Sequence, residues 1–137
     1  MSLILDASLT LTWYFEDEST PATEELLDRV TRTGAVVPPL WRLEVVSGFQ
    51  SSIRRKRIDI AYRDASMADL EQLPIAIDAY SDAHIWTTTL WLSDHYGLTI
   101  YDACYLELAR RRNLPLATLD RELRQAAQTL GTPLLGS

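Results

Sequence analysis

The sequence predicts an α/β fold, a short parallel β-sheet flanked by helices, and three observations carry that expectation. Short apolar runs alternate with longer stretches of helical periodicity, the pattern of parallel strands joined by crossover helices. Glycine and proline fall between those segments, at Gly34, Pro38-Pro39, Pro74, Gly97 and Gly131, where they punctuate rather than interrupt. The third observation is size: 137 residues, 47% of them hydrophobic, suit one domain over residues 1–137, and no repeat, low-complexity tract or linker divides them.

Leu3-Ile4-Leu5 is the first expected strand, followed by a short helix over residues 9–15. Thr20 fits an N-cap and Pro21 a first helical residue, for a helix that reaches Arg32. Gly34 separates it from a second strand, Ala35-Val36-Val37, which Pro38-Pro39 ends. Leu40, Leu43, Val46, Phe49 and Ile53 then make a helical stripe, and another helix is expected over residues 60–73. Pro74 starts the strand Ile75-Ala76-Ile77, and a tryptophan-containing helix runs from His84 to His95 and stops at Gly97. A helix from Thr99 to Arg112 precedes the strand Leu116-Ala117-Thr118. The last helix runs from Arg121 to Leu130, and Pro133-Leu134-Leu135 reads as a short edge strand.

Cys104 is the only cysteine, so no disulfide framework exists within the chain, and its apolar helical setting marks it as a small core residue. Met1-Ser2-Leu3-Ile4-Leu5 has no positive n-region, and no apolar run approaches the roughly 18 residues of a membrane span. A soluble, cytoplasmic protein without a membrane partner is expected. The formal charge of −6 argues against broad electrostatic capture of nucleic acid, although Arg54-Arg55-Lys56-Arg57 and Arg110-Arg111-Arg112 are local basic patches. Each closes an expected helix, where cations complement the dipole; contact with RNA is compatible with that role.

Four carboxylates stand out. Asp6 ends the first strand, Glu44 lies within an apolar helical stretch, Asp102 opens a helix, and Asp120 follows Leu116-Ala117-Thr118-Leu119. In an α/β fold, strand ends and helix starts converge on one edge of the sheet. Four like charges gathered there repel one another and lose hydration, an arrangement that makes sense with a divalent cation between them. Taken singly, Asp6 and Asp120 also fit N-caps, and Asp102 fits a capping box with Thr99. Glu44 does not fit a cap; as a merely structural residue it would need a cation such as Arg42.

The segments Leu3-Ile4-Leu5-Asp6-Ala7-Ser8, Pro39-Leu40-Trp41-Arg42-Leu43-Glu44-Val45, Thr99-Ile100-Tyr101-Asp102-Ala103-Cys104-Tyr105-Leu106 and Pro115-Leu116-Ala117-Thr118-Leu119-Asp120 together resemble the PIN-domain ribonucleases, and within them the VapC-type toxins of bacterial toxin–antitoxin pairs. The resemblance spans nearly the whole chain. It implies a three-layer α/β/α PIN-like domain whose metal-site acids are Asp6, Glu44, Asp102 and Asp120, with Thr118 matching a threonine common two residues before the last acid. It further implies an endoribonuclease toxin that leaves 5′-phosphate and 3′-hydroxyl ends, forms a homodimer and is neutralised by a cognate antitoxin. An antitoxin segment would pack into an apolar groove between early helices, for which Leu9, Trp13, Trp41 and Phe49 are candidates by position.

An all-oxygen donor set suits a hard cation, Mg²⁺ or Mn²⁺, whereas zinc would more often bring histidine or cysteine. His84 and His95 are therefore read as helix-terminal residues rather than ligands. Ser8 or Thr118 could position a water or a ligating carboxylate, or could serve as plain turn and cap residues. Trp13, Trp41, Trp86 and Trp91 could stack on bases, although buried packing is the commoner use. The alternative function is a catalytically silent PIN-like or receiver-like α/β module that acts by protein binding. A receiver or a dehalogenase-type phosphatase wants a second early acid, where this chain has Ser8, and a core lysine, where the only lysine is Lys56.

Overall fold

The computed structural model describes residues 2–137. Five short strands pair in parallel: β1 (Ile4–Leu5), β2 (Ala35–Val37), β3 (Ile75–Ile77), β4 (Leu116–Ala117) and β5 (Leu134–Leu135). Their order is β3-β2-β1-β4-β5, so the chain builds outward from β1 on one side and then crosses to the other. Leu3, Ile4, Leu5, Leu116 and Ala117 are wholly buried, as expected of central parallel strands covered on both faces.

Seven α-helices surround the sheet in an α/β/α arrangement: α1 (Ala7–Thr12), α2 (Pro21–Thr33), α3 (Leu40–Arg54), α4 (Ile60–Glu71), α5 (Leu90–Tyr96), α6 (Ile100–Arg112) and α7 (Arg121–Thr129). Thr20 and Thr23 form a reciprocal capping box at the start of α2, and Gly34 ends that helix at φ 78°. Helix α6 is buried continuously from Ala103 to Ala109, so it is a central element rather than a surface one. Cys104 lies within that stretch as a core residue. Gly48 lets α1 and α3 pack closely, because a Cβ there would collide with the Leu11 side chain. Among the described residues, no helix is long and apolar enough to cross a membrane.

Several expectations are corrected. The first helix starts at Ala7, capped by Asp6, and ends at Thr12, short of Phe15. The stretch read as one helix from His84 to His95 is instead a 3₁₀ turn (Ser81–His84), a π-helical turn (Ile85–Thr89) and α5. Thr87, Thr88 and Thr89 are β-branched, which weakens the preference for regular α-helix there. Trp86 and Trp91 are 89% and 53% exposed, so packing accounts for Trp41 and half-buried Trp13 but not for these two. On α3 the buried face is Trp41, Val45, Phe49 and Ser52, and Leu43 of the expected stripe is exposed. Leu9, Trp41 and Phe49 are core residues between α1 and α3 and line no open groove.

The basic patches also divide. Arg54, Arg55 and Lys56 are exposed, and Arg57 pairs with Asp17 and Glu18. Arg111 and Arg112 instead clamp Asp78, a fully buried acid just beyond β3, at 2.8 and 3.0 Å. Two of the three arginines at the end of α6 are thus committed to an internal ion-pair network.

Candidate active site

Parallel sheets bind ligands outside the carboxyl ends of their strands, where the strand order reverses. Here that point lies between β1 and β4. Asp6 leaves β1 and caps α1; Asp120 follows β4 and caps α7 through a 2.9 Å bond from Leu123 N–H to its Oδ2. Helix α6 begins beside them at Thr99, whose hydroxyl accepts from Asp102 N–H at 3.1 Å. Helix α3 brings Glu44. All four predicted acids therefore line one pocket of about 210 Å³, together with Ser8.

The capping roles and the convergence coexist. A cap consumes one lone pair of a carboxylate and leaves others facing the pocket, so Asp6 and Asp120 serve both functions. Thr99 and Asp102 form only half of the expected box, because the described bond runs from the Asp102 backbone to Thr99.

Asp6 is 4% exposed and held from below: Thr118 Oγ1 donates to its Oδ2 at 2.7 Å and Ser8 Oγ at 2.8 Å. Thr118 Oγ1 in turn accepts from Asp120 N–H at 3.1 Å, which links two of the acids through one hydroxyl. The two supporting residues expected from the sequence are thus in contact with the site. Glu44 is half-buried and accepts a 2.6 Å bond from the hydroxyl of Tyr105, a residue whose role the sequence reading missed. Arg42, the cation proposed for a structural Glu44 pair, reaches Glu71 on α4 instead.

Burial is the main force on these groups, and their mutual repulsion adds to it. Desolvation raises Asp6, against the Thr118 and Ser8 hydrogen bonds, with Asp120 raising it further. Glu44 is raised by burial, then by Asp6 and Asp102, with Tyr105 opposing. Asp102 is pushed up to about 6, by burial first and by Asp120 and Asp6 next. No basic side chain lines the pocket, and among the described residues none of the four acids forms a salt bridge.

Asp78 makes the contrast explicit. It too follows a strand and is buried, yet Arg111, Ser81 and Arg112 outweigh desolvation and hold its carboxyl far below the usual range. It is a satisfied structural acid, whereas the quartet lacks counterions. A hard divalent cation fits the quartet's oxygen donors. Among the described residues no three potential ligands close around a single point, a spacing that suits Mg²⁺, which keeps several waters and takes one or two carboxylates directly.

With the sheet order, the strand-end acids and this pocket in view, the chain is a carboxylate-site α/β protein that belongs to the PIN domain family, whose profile matches residues 3–128. It is similar to a protein named Ribonuclease VapC3 from Pyrobaculum aerophilum, 26% identical over 97% of this chain and 100% of that one. A Mycobacterium tuberculosis protein, also named Ribonuclease VapC3, is 32% identical over 72% of this chain and 69% of its own length. Among solved structures, a Pyrobaculum aerophilum protein aligns with a TM-score of 0.70 at 23% identity, covering 98% of this chain and 92% of that one. VapBC2 from Rickettsia felis, bound to a DNA fragment from its promoter, aligns with a TM-score of 0.65 at 13% identity, covering 99% and 98%. At these identities the structural likenesses speak to the fold alone.

Proposed function

We propose that this chain is a Mg²⁺- or Mn²⁺-dependent endoribonuclease, the toxin of a VapBC-type toxin–antitoxin pair, acting in the cytoplasm, with Asp6, Glu44, Asp102 and Asp120 as its metal-binding and catalytic acids. The observation that carries this reading is the convergence of these four acids, without any counterion, at the point where the strand order reverses. When bound, the divalent ion supplies Lewis acidity, lowering the pKa of a water and offsetting charge on the scissile phosphate and the departing 3′ oxygen.

The chain's own residues prepare the site for that ion. Thr118 and Ser8 fix the rotamer of Asp6, so its carboxylate is oriented before any ligand arrives. Asp120 and Asp102 are held by α7 and α6, and their separate elements set the width of the pocket. Ionised carboxylates repel a phosphodiester, so the acids bind RNA productively only with the cation between them.

Cleavage of single-stranded or looped RNA, followed on denaturing gels with end-group analysis, tests the proposal. We expect 5′-phosphate and 3′-hydroxyl products with Mg²⁺ or Mn²⁺, and none in excess EDTA or with Asp6→Asn. Full cleavage in EDTA, or cyclic phosphate ends, would remove the metal mechanism.

Two surfaces suit the expected protein partners. An open apolar cleft lined by Tyr14, Phe15, Ile53, Ile58 and Tyr62, where the end of α3 meets the start of α4, takes the antitoxin segment in place of the buried residues first expected. Ile60 borders it at 58% exposure, and Ile60→Asp should weaken antitoxin capture while leaving RNA cleavage intact. Exposed Trp86, Leu90 and Trp91 supply the face of the homodimer.

A further inference from the structure

Tyr105 is wholly buried on α6, and its hydroxyl donates to Oε1 of Glu44 at 2.6 Å. The same hydroxyl lies against the backbone of Ala7, next to Asp6. One side chain thus joins α6, which carries Asp102, to the start of α1 and to the acid of α3. Burial, Asp6 and Glu44 hold the phenol far above its usual range, so it acts as a donor throughout accessible pH. Phenylalanine would fill nearly the same space, and half-buried Glu44 could draw a hydrogen bond from water; core packing therefore does not require the hydroxyl.

Its effect falls on how Glu44 can meet a cation. A carboxylate chelates through both oxygens only if both turn to the ion, and Oε1 is engaged by the phenol, leaving Oε2 as the oxygen free for the pocket. Ca²⁺ takes six to eight oxygens at about 2.3–2.6 Å and readily accepts two-oxygen chelation; Mg²⁺ demands near-octahedral geometry at about 2.0–2.1 Å, which single-oxygen ligands and waters supply.

Resting on the metal-site reading above, we infer that Tyr105 is a positioning residue that sets the site's choice of ion: by engaging Oε1 of Glu44 it confines that acid to one-oxygen ligation and favours Mg²⁺ over Ca²⁺. The discrimination belongs to the Tyr105–Glu44 pair and not to the pocket's charge, which Tyr105 leaves unaltered.

Calorimetric titration of chelator-treated protein with magnesium chloride and with calcium chloride, independent of any cleavage assay, tests this. Tyr105→Phe should weaken Mg²⁺ by roughly 10-fold, within the 10- to 100-fold cost of removing an outer-shell partner, while Ca²⁺ binds as in wild type or more tightly. In a Glu44→Gln background, where neither chelation nor carboxylate ligation is available, adding Tyr105→Phe should leave the Mg²⁺/Ca²⁺ ratio unchanged. Equal loss for both ions, or an undiminished shift in the Glu44→Gln background, would overturn the inference while leaving the metal site standing. Wild-type protein that bound neither ion would overturn the metal-site reading itself, and this inference with it.

Discussion

Asp6 and Asp78 occupy equivalent positions, each the first residue beyond a buried parallel strand, yet their surroundings give them opposite character. Asp78 has two arginines; Asp6 has two hydroxyls and three acidic neighbours across a small pocket. We expect Arg111→Met to destabilise the fold by about 3 kcal/mol in urea titrations, because Asp78 and Glu107 both lose a partner while buried. Asp102→Asn should have the reverse sign in metal-free protein at neutral pH, raising the melting temperature by removing one repelling charge while its backbone bond to Thr99 remains. The sequence exposed the four acids because strand-end and helix-start positions can be read from apolar runs and caps. It did not expose Tyr105, although a tyrosine among Ala103, Cys104 and Leu106 on a wholly buried helix must find a partner for its hydroxyl, and that was the available signal.

At the scale of elements, the closeness of α1 and α3 decides where Glu44 stands relative to Asp6. Gly48 permits that approach through its missing side chain, so Gly48→Leu should cost about 1–3 kcal/mol by overpacking and should also weaken Mg²⁺ binding by spreading the two acids. Urea titration and calorimetry on the same sample check the two effects together. The strand positions were legible because apolar runs bounded by proline and glycine have few alternative readings. The segment from Ser81 to Thr89 was not: Trp86 and Trp91 look like the apolar side of an amphipathic helix, but both face outward, and sequence periodicity records hydrophobicity rather than burial. Likewise the core face of α3 turned out to be Trp41, Val45 and Phe49, a rotation that exposes Leu43 and turns Glu44 toward the pocket, because α3 must satisfy α1 and the sheet together.

Across the whole molecule, two groups of acids oppose each other as pH changes. Asp6, Glu44 and Asp102 have folded pKa values raised above their ordinary ones, so the folded state binds more protons; their favourable contribution is complete in acid and is lost as pH rises through the folded values, for Asp102 from about 3.8 to about 6. Asp78 is lowered, so its contribution is present above its ordinary value of 3.8 and is lost as pH falls toward the folded one. Metal-free protein should therefore be most stable in mild acid, near pH 4–5, and weaken on either side. A formal charge of −6 adds general repulsion on the alkaline side. The exposed face at Trp86, Leu90 and Trp91 makes a separate expectation at this scale: Trp86→Glu should shift sedimentation from dimer to monomer without changing the melting profile of the isolated fold.

The central claim is that four uncompensated carboxylates are held together for a divalent ion. Thermal melts of wild type and Asp102→Asn at pH 5 and pH 7.5, with and without Mg²⁺, test it most directly. The account predicts that metal-free wild type loses stability between the two pH values, that saturating Mg²⁺ restores about 2.7 kcal/mol at 100 times its dissociation constant, and that Asp102→Asn begins more stable at pH 7.5 and gains little from the ion. Wild type that gains nothing from Mg²⁺, with Asp102→Asn simply destabilised, would contradict it and leave the four acids as helix caps and surface charges.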